Sequence, residues 1–215
     1  MQKKIAILIA FLWISCMANA RDPLFKPSTH LGILGGLNFS TVSFKPSIKE
    51  SFLPSTAFGL VLRHVSEPNI GLQVEINSWG KGWKELIDSV GSYTRRLETI
   101  NVPVTAAFIA GSKTIRFAFT VGPYVSYLRE EKETIDMPAN TTRRPHYLKP
   151  LASNWEFGFT GGVSAEVHTK LGGFAIRASY NHALTNLFPL NEDEYYFSVS
   201  RQQVIHAGIM YFYSF

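Results

Sequence analysis

The chain has 215 residues, a formal net charge of +5, 16 Phe, 9 Tyr, 16 Gly and one Cys. A single cysteine excludes a disulfide framework or a Cys-based metal site, and a basic excess this small and scattered does not make nucleic acid an expected partner. Beyond the N-terminus no run of eighteen apolar residues occurs, which excludes a conventional spanning helix.

Residues 1–20 read as a secretory signal. Lys3 and Lys4 form a basic region, Ile5 to Ile14 is an apolar run too short to span a bilayer, and Ala18-Asn19-Ala20 is a small-x-small cleavage site before Arg21. Cys16 offers a rival reading as a lipid-attachment cysteine, against which stand the preceding Trp13, Ile14 and Ser15. Cleavage after Ala20 removes two lysines and the only cysteine, takes the charge from +5 to +3, and leaves residues 21–215 as one domain.

The rest of the chain alternates. A first strand over residues 30–42 sets Leu31, Ile33, Leu37 and Phe39 against Gly32, Leu34, Gly36, Asn38 and Ser40. After a long connection over 43–55, a second strand (56–65) sets Phe58, Leu60 and Leu62 against Ala57, Val61 and Arg63. Ser66-Glu67-Pro68-Asn69 is a tight turn. The third strand (70–79) is the cleanest, with Ile70, Leu72, Val74 and Ile76 opposing Gly71, Gln73, Glu75 and Asn77. Residues 80–92 read as a second long connection, with a short helical turn over 84–90. A fourth strand (93–110) carries Pro103, whose missing donor predicts a bulge or break.

A turn at 111–113 leads to a fifth strand (114–129), with Ile115, Phe117, Phe119, Val121 and Val125 on its apolar side. Residues 130–152 form the longest polar stretch, running from Glu130 to Glu133 through Arg143, Arg144 and Lys149. The sixth strand (154–168) opposes Trp155, Phe157, Phe159, Val163, Ala165 and Val167 to Glu156, Gly158, Thr160, Gly162, Ser164 and Glu166. A seventh (173–184) and, after a connection over 185–200, an eighth (202–215) follow, the last with Ile205, Ala207, Ile209, Tyr211, Tyr213 and Phe215 on one parity.

The connections run long, short, long, short, long, short, long. In an up-and-down arrangement this places every long connection at one end, as in transmembrane β-barrels. The expected fold is therefore all-β, an eight-stranded antiparallel up-and-down barrel. The same pattern folded the other way out gives a secreted soluble barrel or sandwich with an apolar ligand cavity. Aromatics including Phe39, Trp79, Tyr93, Phe108, Trp155, Phe174, Tyr180 and Tyr211 gather toward segment ends like interfacial girdles. Arg63, Glu75, Glu98, Arg116, Glu156, Glu166 and Arg177 are assigned to the small, polar parity, where both signs could pair inside the barrel.

Several stretches carry a family likeness: Gly35-Gly36-Leu37-Asn38-Phe39-Ser40, Ile70-Gly71-Leu72-Gln73-Val74-Glu75 followed by Gly80-Lys81-Gly82, Asn101-Val102-Pro103-Val104, Gly122-Pro123-Tyr124-Val125-Ser126-Tyr127-Leu128, and Tyr180-Asn181-His182-Ala183-Leu184-Thr185-Asn186. With the closing aromatic strand, the chain resembles the small outer-membrane β-barrel family of Bacteroidetes-type Gram-negative bacteria, the PorT-like proteins. The resemblance implies an outer-membrane location among lipid and lipopolysaccharide. It also implies insertion by the barrel assembly machinery, with the strand bearing Tyr211, Tyr213 and Phe215 as recognition signal. No specific activity is implied, although a few members are tied to protein secretion or gliding.

Other candidate sites are sparse. His182 and Ser179 with Glu156 or Glu166 would make an outer-membrane lipid hydrolase only through a register break, since His182 and Ser179 fall on opposite parities. The histidines lack metal-ligand spacing, and Gly32, Gly35 and Gly36 precede no helix, so no cofactor is expected. Arg143, Arg144 and Lys149 are candidates to contact lipopolysaccharide phosphate, and the long loops to contact a protein partner. The expected role is non-enzymatic, structural or one of surface interaction.

Overall fold

The computed structural model describes residues 25–87, 91–138, 144–189 and 197–214. The segment expected as a signal, with Cys16, residue Arg143, the acidic stretch Asn191 to Glu194 and Phe215 lie outside the described residues. The strands are β1 (Ser28–Lys45), β2 (Glu50–Ser51), β3 (Leu53–Glu67), β4 (Ile70–Ile87), β5 (Gly91–Gly111), β6 (Ile115–Asp136), β7 (Trp155–Thr169), β8 (Gly172–Ala183) and β9 (Val199–Ser214). Neighbours follow the order β4, β3, β1, β9, β8, β7, β6, β5, and β4 also pairs with β5, so eight long antiparallel strands close into a ring. Closure pairs both edges of the eight-stranded ring, because β9 lies along β1 from His30↔Ser214 to Lys45↔Val199.

Period-two patterning decides which way the barrel faces. Ile33, Phe58, Ile176 and Ile209 are 59–68% exposed, whereas Asn38, Glu75, Asn77 and His206 on the other parity are at most 1% exposed. Every long strand thus turns its apolar set outward, which only a hydrocarbon surround stabilises, and the secreted soluble alternative is overturned. Phe39, Phe108, Trp155, Phe174, Tyr180 and Tyr211 stand on the outer face. Trp79 and Tyr93 do not: both are buried inside, because they share parity with Asn77 and Thr99 respectively.

The stretch expected as a long connection over 80–92 is instead strand through Ile87, resuming at Gly91, and residues 84–87 form no helical turn. The alternation continues through it, with Lys81, Trp83 and Glu85 of β4 and Tyr93, Arg95 and Leu97 of β5 all buried. Gly82, at φ 141°, holds a backbone conformation that a side chain would disfavour, and its carbonyl accepts from Gln202 Nε2 at 3.1 Å. Opposite Pro103 the β4–β5 ladder lapses between Val74↔Val104 and Asn77↔Asn101 without changing register. The shift in register lies elsewhere, between Glu98 and Thr99, where β6 carries Arg129 as an extra residue.

β4, β5 and β6 consequently run on past the apolar band as a three-stranded wall, to which two-residue β2 adds through Glu50↔Glu85 and Ser51↔Lys84. Ile209 sits midway along the outward apolar run of β9. Ile209→Arg is expected to lower stability by roughly 2–4 kcal/mol, the cost of a cation at the bilayer midplane. Urea unfolding in lipid vesicles measures it, and an unchanged midpoint would contradict a lipid-facing Ile209.

Candidate functional site

The lumen is crossed by ion pairs. Arg63 of β3 donates to Glu166 of β7 at 2.7 Å, and Arg177 of β8 donates to Glu75 of β4 at 2.5 Å. In ring order each of these partnerships joins strands four places apart, so both span the full diameter. Gln73 ties them together, accepting from Arg63 Nε at 2.7 Å and donating to Glu75 at 2.5 Å. Asn77 donates to Glu75 at 2.9 Å, Ser164 donates to Glu166 at 2.8 Å, and the Arg63 guanidinium lies 4.7 Å from the Phe212 ring centre. Nearer the long-connection end, Lys81 donates to Glu156 at 2.7 Å, as does the Tyr124 hydroxyl at 2.9 Å.

Beside these pairs, the His206 ring is accommodated by small neighbours. Gly36 and Gly208 lie under the His206 ring, which stacks 5.4 Å from Trp79 and pairs through Nδ1 with Asn38 Oδ1 at 2.9 Å. A side chain at either position would displace the His206 ring. Charges so buried persist because they are paired and hydrogen-bonded, and the filled lumen is what an eight-stranded circumference allows.

Above the apolar band a second centre forms around Glu85. Its carboxylate accepts from Trp83 Nε1 at 2.9 Å, Tyr147 hydroxyl at 3.0 Å and Arg144 at 3.1 Å, and His146 Nε2 lies 2.6 Å away. The segment 144–149 is thereby laid over the lumen mouth. Tyr147 stacks on Tyr93 at 4.0 Å, and Phe44, Phe188 and Phe197 close the apolar side. Burial, with the Glu85 carboxylate beside it, pushes the Tyr147 phenol above its ordinary pKa. Leu148 adopts φ 60°, a left-handed conformation costly for a branched side chain, and its amide donates to Glu133 at 3.0 Å. Arg95 completes the wall, donating to the Lys149 carbonyl at 2.7 Å and pairing with Glu131 and Glu133.

Of the residues assigned to the interior, Arg63, Glu75, Glu156, Glu166 and Arg177 point into the lumen, and Arg116 stands half-buried at the short-turn rim beside Glu166. Glu98 is a correction. It is exposed on the outer face, because it shares parity with Ile100 rather than with Thr99 and Asn101. Lys81, Glu85 and Arg95 were missed, although the alternation of the third strand simply continued into Lys81 and Glu85 and that of the fourth already put Arg95 on the parity of Thr99. Ser179 is buried in the lumen, whereas His182 lies on the outward side beside Tyr180, whose hydroxyl is 3.4 Å from His182 Nδ1. The two do not meet, and no register break occurs between them. Among the described residues no group of three His, Cys, Asp or Glu is placed to hold a metal ion. Tyr211 and Tyr213 face outward near the short-turn end, and the Tyr211 hydroxyl donates to the Leu171 carbonyl at 2.6 Å.

Two consequences are measurable. Arg177→Ala strands the Glu75 carboxylate and is expected to cost about 3–5 kcal/mol in unfolding, whereas the double variant Arg177→Met with Glu75→Leu recovers part of that loss; equal losses would show that the pairing contributes nothing. Glu85→Ala removes the acceptor shared by Trp83, Arg144, His146 and Tyr147, and limited trypsin digestion is expected to cut after Arg144 several-fold faster while the barrel core stays protected.

The chain matches the family model for the outer membrane protein beta-barrel domain over residues 21–189. No curated protein matches it in sequence. Its fold is similar to that of OprG from Pseudomonas aeruginosa, 10% identical with a TM-score of 0.50, over 86% of this chain and 96% of that one. It also aligns with Ail of Yersinia pestis, at 13% identity and TM-score 0.44 over 88% of this chain and 100% of that one. Neisserial surface protein A aligns at 7% identity and TM-score 0.41, over 87% and 99% of the two chains. With its outward apolar band, filled polar lumen and match over most of its length, the chain belongs to the outer membrane protein beta-barrel family and resides in the bacterial outer membrane.

Proposed function

We propose that this barrel is a non-enzymatic surface protein of the PorT-like kind, which presents its long-connection end outside the cell as a rigid docking platform for a protein partner. The observation that carries this reading is the cap built on Glu85. Four side chains from the wall and the 144–149 segment converge on one buried carboxylate, so the strands project beyond the membrane as a folded surface rather than as loose loops. Charge pairs spanning the lumen argue against conduction and support a reading in which interaction takes place at the outer end. In this reading residues 1–20 are a signal removed on export and residues 21–215 a single domain. The barrel assembly machinery recognises the closing strand through Tyr211, Tyr213 and Phe215. Arg143, Arg144 and Lys149 are the loop cations offered to lipopolysaccharide sugar and phosphate in this reading, and Arg144 is already engaged by Glu85.

Orientation is the first test. The only cysteine lies in the leader, so Leu148→Cys and Lys113→Cys each supply a single thiol, at the cap and at a short turn respectively. A membrane-impermeant maleimide is expected to label Leu148→Cys in intact cells and Lys113→Cys only after lysis. The reverse pattern would invert the platform. Capture of a protein partner by wild type but not by Glu85→Ala, from detergent-solubilised membranes, supports docking through the cap. Identical partners for both would remove it.

A further inference from the structure

The outer wall of the barrel is not uniformly covered. A groove of about 510 Å³ opens on its lipid-facing side, and Arg129 forms part of its lining. Strand register explains its shape. Ile33, Leu60 and Ile76 are cross-strand partners in one outward row, and Phe58, Ser78 and Ile100 are partners in the next row toward the long-connection end. Between the rows runs the backbone of Leu34, Gly59 and Asn77, whose side chains, where present, turn inward. Gly35, the β1 partner of Phe58, adds no side chain to the second row and Ser78 only a small one, so that row stands low and the floor between the rows is shallow.

Arg129 lies where this groove meets the edge of the apolar band. It is the extra residue of the β6 bulge, one step beyond Leu128↔Thr99 and one before Glu130↔Glu98. A bulge re-aims the side chain it carries, and this one sends an arginine over Ile100 into a groove otherwise walled by hydrocarbon. Among the described residues no hydrogen bond or ion pair engages Arg129. Its neighbour Arg96 is instead bonded to the Pro54 carbonyl at 3.4 Å. An unpaired guanidinium at the level where the apolar run of β6 ends, after Tyr127, faces lipid headgroups, and its planar fork matches phosphate oxygens.

We propose that this groove seats one acyl chain of lipid A from the outer leaflet, with a lipid A phosphate held by Arg129. The assignment rests on the long-connection end facing outward, as proposed above. It differs from the loop cations in its site, because the arginine here is coupled to an apolar slot that selects a lipid rather than a soluble anion.

Native mass spectrometry of the detergent-purified full barrel, with lipid A, phosphatidylglycerol or phosphatidylethanolamine added, tests it. Wild type is expected to retain one lipid A in preference to either phospholipid. Arg129→Glu lowers that retention by about tenfold, the scale of one charge-assisted bond. Ser78→Trp fills the slot and lowers it similarly, while Arg129→Lys keeps most of it and Lys132→Gln leaves it unchanged. Each variant is checked for the faster migration of an unboiled closed barrel, and Arg129→Glu, altering an exposed side chain, carries the test if Ser78→Trp fails to close. Equal lipid A retention by wild type and Arg129→Glu overturns the site. Arg129-dependent retention of phosphatidylglycerol at the level of lipid A overturns the choice of lipid. A wrong orientation shows separately, through labelling of Lys113→Cys in intact cells.

Discussion

Two ion pairs that cross the whole lumen set the terms for everything else in this barrel. Arg63 to Glu166 and Glu75 to Arg177 join diametrically opposite strands, and Gln73 links one pair to the other. A cross-lumen contact demands a narrow circumference and a register that brings opposed partners to one height. It also makes the interior unforgiving. A desolvated charge left without its partner costs several kcal/mol, whereas the intact pair adds little beyond a well-packed apolar replacement. The pairs therefore act chiefly as specificity devices, penalising any slipped closure that would turn one of these chains away from its counterpart.

Filling the lumen with paired charge leaves the outer face largely apolar over the band, and this two-sided patterning was legible in the sequence. Ile70 to Asn77 already showed a polar side of Gln73, Glu75 and Asn77 without the lysines expected of a solvated face. What parity alone could not give was direction, since a soluble barrel shares the same period; the exposure of Ile176 and Ile209 beside the burial of Glu75 decides it. Glu98 shows how fragile such reading is. One step in parity moves it from the lumen to the outer face, since the alternation of β5 runs unbroken from Leu97 to Ile100 and puts Glu98 beside Ile100.

The larger gap concerns residues 80–92. Gly82, Asp88 and Gly91 in a short span read as turn chemistry, yet Gly82 serves the strand itself, its φ of 141° sustaining the ladder between Lys81↔Leu97 and Trp83↔Arg95. Composition could not reveal this, because the stabilising partners come from far along the chain. Arg144, His146 and Tyr147 reach Glu85 across roughly sixty residues, and no local pattern connects a polar loop to a carboxylate in a segment taken for another loop. Glu85, the centre of the cap, was for that reason the least visible of the important residues.

The bulge at Arg129 reconciles the two halves. Below it β6 turns Tyr124 and Ser126 inward, and above it Glu133 and Ile135, so the inward parity changes from even to odd within one continuous strand. Without that extra residue, Glu133 would face away from Tyr93 and Leu148, and the wall above the membrane would lose the acceptor that fixes its cap. One inserted residue thus lets a single strand serve a lipid-embedded wall packed on a charged lumen and a water-exposed wall packed on an aromatic cap. The change of parity leaves one side chain over at the boundary between these environments. That side chain is an arginine, the residue best matched to the phosphate-rich layer in which the boundary lies.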